Sequence, residues 1–146
     1  MALLKFLNGL ETSPMMDFWK MEEHDLPSRS GAYILVAASD VRFNYPKGRS
    51  PVYYIGQSQS LRQRLLRHYV NSKEARDRRK HPMYWPRYEY GAAFGARYCY
   101  ILAWQGKTAK ALEDKVMAQF ARCYHAWPVA NSAGAWNRIW DEVGGD

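Results

Sequence analysis

The apolar positions of the chain fall into three strand-like and two helix-like segments. The continuous apolar run at residues 33–38 is typical of a buried strand, and residues 52–55 and 97–104 predict two further short strands. Apolar side chains recur at helical spacing from residue 61 to 69 and again from 109 to 124. The turn-rich residues between the first two strands predict a hairpin with a long connection.

The two ends of the chain have a different pattern. Ser13-Pro14 predicts the start of a helix, because Ser can cap and Pro suits the first helical position, and Leu26-Pro27 predicts its end. We therefore expect a helical extension over residues 1–30 that packs on the core, a main domain over 31–131 and a Trp-containing tail over 132–146.

The order of these elements predicts an α+β domain. Its small sheet would be three-stranded and mainly antiparallel, and helices would flank it, because three strands do not bury a core on their own. Residues 71–96 are the least regular part of the chain, and we treat them as a basic, aromatic insert.

Charge adds a first indication of function. The 146-residue chain has a formal net charge of +7, which favours a polyanion such as nucleic acid, although a basic surface without such a partner fits as well. Two cysteines exclude a disulfide scaffold, and no apolar run has the ~20 residues of a membrane span. We see no signal peptide and expect a cytoplasmic protein.

Three polar side chains lie beside predicted apolar stripes. Arg64 and His68 are four residues apart and share one helix face, where they either cover apolar surface or form a site. Glu113 adjoins the stripe of the last helix, where a carboxylate is costly unless it meets a cation or a metal ion. A favourable interaction with the positive end of that helix is the alternative explanation for Glu113.

These residues belong to an ordered set that also contains two tyrosines in the predicted strands. The set consists of Gly31-Ala32-Tyr33, Tyr54-Ile55-Gly56, Ser58, Leu61, Arg64, His68, Glu113, Pro128 and Asn131. In this order the chain resembles the GIY-YIG endonuclease superfamily over about residues 26–131, and residues 26–33 are similar to the start of its excision-repair branch. The resemblance implies the GIY-YIG nuclease fold and a stand-alone, metal-dependent DNA endonuclease that hydrolyses phosphodiester bonds.

The resemblance also implies roles for single residues. Glu113 would be the protein ligand of one divalent ion, Mg²⁺ with Mn²⁺ as a substitute, since hard ions prefer carboxylate oxygens. Arg64 would clamp the scissile phosphate with its guanidinium fork. Tyr33 would activate or position the attacking water, Tyr54 would hydrogen-bond the water or the phosphate, and His68 would take the proton onward. Substrate binding or structural support is implied for Gly56, Ser58 and Asn131.

The chain departs from the family pattern in two places near these motifs. Ala32 replaces the usual isoleucine, and Gln57 stands where some members have lysine. The insert at 71–96 has no counterpart that we can align. Its charges and aromatic side chains either contact DNA or complete the core under a solvated face. The residues of the insert and of the preceding helix that we consider for nucleic-acid contacts are Arg62, Arg67, Arg78, Arg79, Lys80, Trp85 and Arg87.

Two other functions fit the same sequence. One is a non-catalytic module on the same fold that binds nucleic acid or protein, since fold alone does not fix function. The other is an RNA-directed nuclease with the same chemistry. The recognition sequence, the strand preference and the oligomeric state stay open, and a double-strand cut would need a homodimer, two molecules acting in turn, or strand switching.

Overall fold

Residues 2–78 and 85–131 of a computed structural model describe an α+β domain. In chain order, its strands and α-helices are β1 (Met16–Asp17), β2 (Gly31–Ala37), β3 (Phe43–Tyr45), β4 (Gly48–Ser50), β5 (Val52–Ser58), α1 (Leu61–Arg78), α2 (Pro86–Phe94), β6 (Gly95–Leu102) and α3 (Ala109–Tyr124). An antiparallel sheet has the strand order β1-β6-β2-β5, and β3 and β4 form a separate hairpin. The predicted α+β class is confirmed, and the sheet has a fourth strand of two residues that we did not predict.

Strand β2 is the centre of the sheet. It pairs with β5 on one side and with β6 on the other, and all seven of its residues are buried. This explains why the segment is continuously apolar instead of alternating, because a strand that is covered on both faces has no solvent face. The predicted pairing of the first two long strands is confirmed, and the loop between them contains the β3–β4 hairpin.

The α-helix predicted to begin at Ser13-Pro14 is wrong. Residues 13–26 instead form β1 and two short 3-10 turns, Phe18–Lys20 and Glu23–Asp25. The physical reason is pairing with the sheet: Ser13 N donates to Tyr100 O at 2.8 Å, and Tyr100 N donates to Ser13 Oγ at 3.0 Å. These bonds hold the segment extended along β6, and tertiary pairing outweighs the local capping preference.

The extension before β2 nevertheless contributes to the core. Phe18 and Leu26 are buried, and Phe6, from a 3-10 helical segment at Ala2–Leu7, packs edge-on against Phe120 of α3 at a centroid distance of 5.1 Å. The N-terminal residues thus cover part of the core, and aromatic contacts such as Phe6 with Phe120 hold them there.

Helices α1 and α2 replace much of the predicted irregular insert. α1 continues to Arg78, and α2 begins at Pro86, a residue that suits the first turn of a helix. The two helices approach closely where a Cβ on Gly91 would collide with the side chain of Ser72. The residues between them, which include Arg79 and Lys80, and the tail predicted at 132–146 lie outside the described residues.

Helix α3 agrees with the prediction from its apolar spacing. Thr108 caps it by accepting a hydrogen bond from Ala111 N at 3.1 Å. Within residues 2–78 and 85–131, no helix combines the length and the apolar character needed to cross a membrane.

Candidate active site

Tyr33 on β2 and His68 on α1 meet inside the domain. The Tyr33 hydroxyl oxygen lies 2.8 Å from His68 Nε2, and both residues are 0% exposed. Tyr54 on β5 lies beside them, with ring centroids 6.1 Å from Tyr33 and 5.4 Å from His68. Two strands and one helix therefore bring three of the predicted site residues into a single group.

Gly56 makes room for this group. In the antiparallel register Tyr33 lies opposite Gly56, so the tyrosine ring covers the glycine backbone. A Cβ at residue 56 would overlap the Tyr33 phenol and would approach Tyr54 Cε2 to 2.9 Å. Glycine is needed here because of close packing against a ring, since no side chain fits under Tyr33.

His68 is a neutral imidazole in this environment. Burial lowers its pKa well below the ordinary value, and the positive charges of Arg87, Arg64 and Arg67 lower the pKa further. Nδ1 of His68 has no hydrogen-bond partner within the described ranges. The neutral ring can use Nε2 either to accept the Tyr33 proton or, in the other tautomer, to donate to the phenol oxygen.

The two tyrosines are neutral phenols. Burial raises the pKa of Tyr33 well above its ordinary value, and the neighbouring Tyr54 raises it further, while Arg64 opposes the shift by its charge and by hydrogen bonding. Burial also raises the pKa of Tyr54, against the charge of Arg87. A standing phenolate is therefore disfavoured at neutral pH.

Glu113 approaches the group from α3. Its side chain is 21% exposed, and its charge contributes to the raised pKa of Tyr54 after burial. Among the described residues, Lys110 Nζ donates a hydrogen bond of 3.0 Å to Glu113 Oε1. A carboxylate at this edge suits a hard divalent ion that keeps several waters, so the residue fits the metal that the resemblance implies.

A second set of acidic side chains lies elsewhere on the surface. Within the described ranges, one group of three His, Cys, Asp or Glu residues has potential metal-ligand atoms within 4.8 Å of one another. It consists of Glu22, His24 and Asp25, and all three are exposed. Exposed acidic groups of this kind are common without a metal ion, and the cluster does not include Glu113.

The supporting residues hold the strand that carries Tyr54. The Asn131 amide donates to Ile55 O at 2.9 Å and accepts from Ile55 N at 3.0 Å, which pairs the free edge of β5 next to Tyr54 and Gly56. Ser58 Oγ donates to Ser60 O and accepts from Ser60 N, and so it shapes the turn between β5 and α1. In the described structure Ser58 thus supports the backbone.

The residues that we considered for nucleic-acid contacts have different surroundings. Arg62 Nε donates to Leu26 O at 2.9 Å, and Arg78 pairs with Glu74 at 2.6 Å. Arg67 and Trp85 are exposed, and Arg87 is half-buried. Arg79 and Lys80 lie outside the described residues.

Helix α2 adds two residues whose place in the group sequence reasoning missed. Tyr88 is buried, and its ring lies 5.2 Å from the His68 ring, while the Arg87 guanidinium lies over the rings of Tyr88 and Tyr54. The dipeptide Trp85-Pro86 could have indicated the start of a helix here. No sequence pattern indicated that this helix would turn its first residues towards His68.

The structure thus brings the predicted residues Tyr33, Tyr54, Arg64, His68 and Glu113 into one neighbourhood. We compared the chain with protein-family models, with curated proteins and with solved structures, and none of them matches. Chemically, the arrangement offers a buried proton-transfer pair, a guanidinium beside it and a carboxylate at its edge.

The close packing at residue 56 gives a first prediction. Gly56→Ala should lower the free energy of unfolding by about 1–3 kcal/mol, because the new methyl group overlaps the buried Tyr33 ring. Urea denaturation measures the loss. In a Tyr33→Ala background the same substitution should cost less, and an unchanged cost there would show that the ring is not the obstacle.

The buried neutral imidazole gives a second prediction. In the unfolded chain a histidine binds a proton below about pH 6.5, whereas folded His68, whose pKa is lowered, does so only at a lower pH. Stability should therefore fall as the pH falls from about 6.5 towards the folded pKa, with a slope of up to about 1.4 kcal/mol per pH unit.

This pH dependence is measured by urea denaturation between pH 7 and pH 5. His68→Gln should flatten the slope by the contribution of one proton, and His125→Asn, at an exposed histidine, is the control for removing an imidazole. Equal slopes for wild type and His68→Gln would contradict a neutral, buried His68.

Proposed function

We propose that this protein is a metal-dependent nuclease that hydrolyses phosphodiester bonds, with DNA as its substrate. The observation that carries the proposal is the buried hydrogen bond of 2.8 Å between the Tyr33 hydroxyl and His68 Nε2, with Arg64 beside the phenol. A buried phenol–imidazole pair beside a cation that no described carboxylate pairs with is suited to moving a proton next to an anion.

The tyrosine and the histidine would share the work on the attacking water. With its proton on Nδ1, neutral His68 accepts the Tyr33 hydrogen through Nε2, and the phenol oxygen is then oriented to accept a hydrogen bond from water. As the water attacks, its proton moves to Tyr33 while the Tyr33 proton moves to His68. This concerted transfer avoids a standing phenolate, which burial of Tyr33 disfavours. The negative charge of the bound phosphate would offset the imidazolium that burial of His68 and the nearby arginines disfavour.

Arg64 would hold the phosphate that is attacked. No described carboxylate pairs with its guanidinium, which contacts the Tyr33 phenol. A guanidinium binds two phosphate oxygens in one plane, and a fixed cation at the site of developing negative charge lowers the barrier. The Tyr54 ring lies beside that of Tyr33, at a centroid distance of 6.1 Å, and its hydroxyl would donate to the water or to a phosphate oxygen.

Glu113 would hold the divalent ion, Mg²⁺ or its substitute Mn²⁺. When bound, such an ion offsets charge on the phosphate and on the leaving oxygen. The protein contribution is the position of the carboxylate, which α3 fixes at the edge of the tyrosine pair, and the tether from Lys110 to Oε1. The net charge of +7 supports a polyanionic substrate.

Cleavage assays test this proposal. We expect cutting of supercoiled plasmid or of a single-stranded circle with Mg²⁺ or Mn²⁺ and none with EDTA. Glu113→Gln should reduce cutting to the level in EDTA, and Arg64→Ala should slow it by about 10²–10³-fold. Asp114→Asn is the matched control, since Asp114 also pairs with Lys110, at 3.1 Å, but is exposed.

The control separates a metal ligand from a general loss of charge on α3. Cutting that survives in Glu113→Gln, or that is lost equally in Asp114→Asn, would contradict the assigned role of Glu113. DNA binding without cutting under any divalent ion would favour a non-catalytic binding module. Preferential cutting of an RNA competitor would reassign the substrate and keep the chemistry.

A further inference from the structure

Arg87 reaches the candidate site from α2, a helix that contains none of the GIY-YIG motif residues. It lies in the first turn of α2, where its guanidinium carbon is 5.1 Å from the ring centroid of Tyr88 and 6.0 Å from that of Tyr54. The Tyr88 ring in turn packs against His68. Arg87 therefore borders the same tyrosine–histidine group that Arg64 borders from α1.

Arg87 lacks a carboxylate partner within the described part of the chain. No ion pair there includes its guanidinium, and its Nε is buried without a hydrogen-bond partner. The one described carboxylate that acts on Tyr54 belongs to Glu113, which is tied to Lys110. A half-buried cation without an anion is costly to fold, unless a ligand supplies the negative charge.

The aromatic rings around Arg87 fix its direction. Trp85, Tyr88 and Tyr54 each present a ring to the guanidinium, at 5.5, 5.1 and 6.0 Å. Rings hold a planar cation by stacking, and the Arg87 side chain also hydrogen-bonds with Tyr88 and Tyr54. The arrangement thus orients a charged fork beside the tyrosines, and no described carboxylate neutralises it.

We infer that Arg87 is a second phosphate ligand, which binds the scissile phosphate together with Arg64. The two guanidinium groups come from different helices and border the same tyrosines, so a phosphate beside Tyr33 and Tyr54 can receive a fork from each. This inference rests on the proposed function, and it assigns the insert helix α2 a direct part in substrate binding.

The test compares single-turnover cleavage by three variants of the full chain. Arg87→Ala should lose about 10²–10³-fold in cleavage rate, Arg87→Lys should recover part of it, and Arg122→Ala should behave as the wild type. Arg122 is an exposed arginine in the last turn of α3 and serves as the matched control. Wild-type cleavage by Arg87→Ala would overturn the inference.

Chemical rescue separates binding of the phosphate from a structural role. Free guanidinium ion at a non-denaturing concentration should restore cleavage to Arg87→Ala by entering the space between the rings, whereas equal NaCl should not. A merely structural role would not respond to added guanidinium. Failure of rescue in a variant with wild-type urea stability would overturn the inference.

A binding measurement keeps this inference separate from the proposed nuclease activity. The affinity for a DNA duplex should depend on salt with a slope smaller by about one phosphate contact in Arg87→Ala, and the slope of Arg122→Ala should be unchanged. If the wild type cuts nothing, the nuclease proposal fails and this slope still decides whether Arg87 binds phosphate. An unchanged slope in Arg87→Ala would contradict it.

Discussion

The hydrogen bond between Tyr33 and His68 constrains the rest of the structure. Both groups are titratable and fully buried, so each must be neutral and each must use the other as a partner. The constraint reaches back to the sequence. Residue 56 must be glycine to let the phenol lie over β5, and the Asn131 amide must hold the edge of β5 at Ile55 so that the strand keeps its place. The site is thus held by packing and backbone pairing as much as by its polar atoms.

Burial and charge act differently on the two partners of this bond. Burial lowers the pKa of His68, and the surrounding guanidinium groups lower it further, so both effects keep the imidazole neutral. For Tyr33 the effects oppose each other: burial raises the pKa, and the charges of Arg64 and Arg87 lower it. The cations thus lower both pKa values, and burial moves the pKa of Tyr33 up and that of His68 down. An environment of this kind disfavours a lasting charge on either member of the pair.

The sequence predicted the parts of the fold that depend on local pattern. The buried run of β2, the apolar spacing of α3 and the four-residue separation of Arg64 and His68 can be read directly from the sequence. The turn-rich connection between β2 and β5 predicted their antiparallel pairing. The helix prediction for the N-terminal segment failed because Ser13 hydrogen-bonds to Tyr100 on β6, a residue 87 positions away in the sequence. Local capping preferences carry no information about a partner so distant. The short fourth strand β1 escaped prediction for the same reason.

The position of α2 could not be predicted because it depends on the length of another helix. α1 has 18 residues, and its buried face carries Leu61, Leu65, His68 and Ser72 in succession. The first part of that face supplies His68 to the site, and its continuation at Ser72 seats α2 through the close approach to Gly91. One face of α1 therefore determines both the position of the His68 imidazole and the position of α2, which carries Arg87 and Tyr88. A chain with the same motif residues and a shorter α1 would keep Tyr33, Arg64 and His68, and it would have no surface to hold Arg87 beside them.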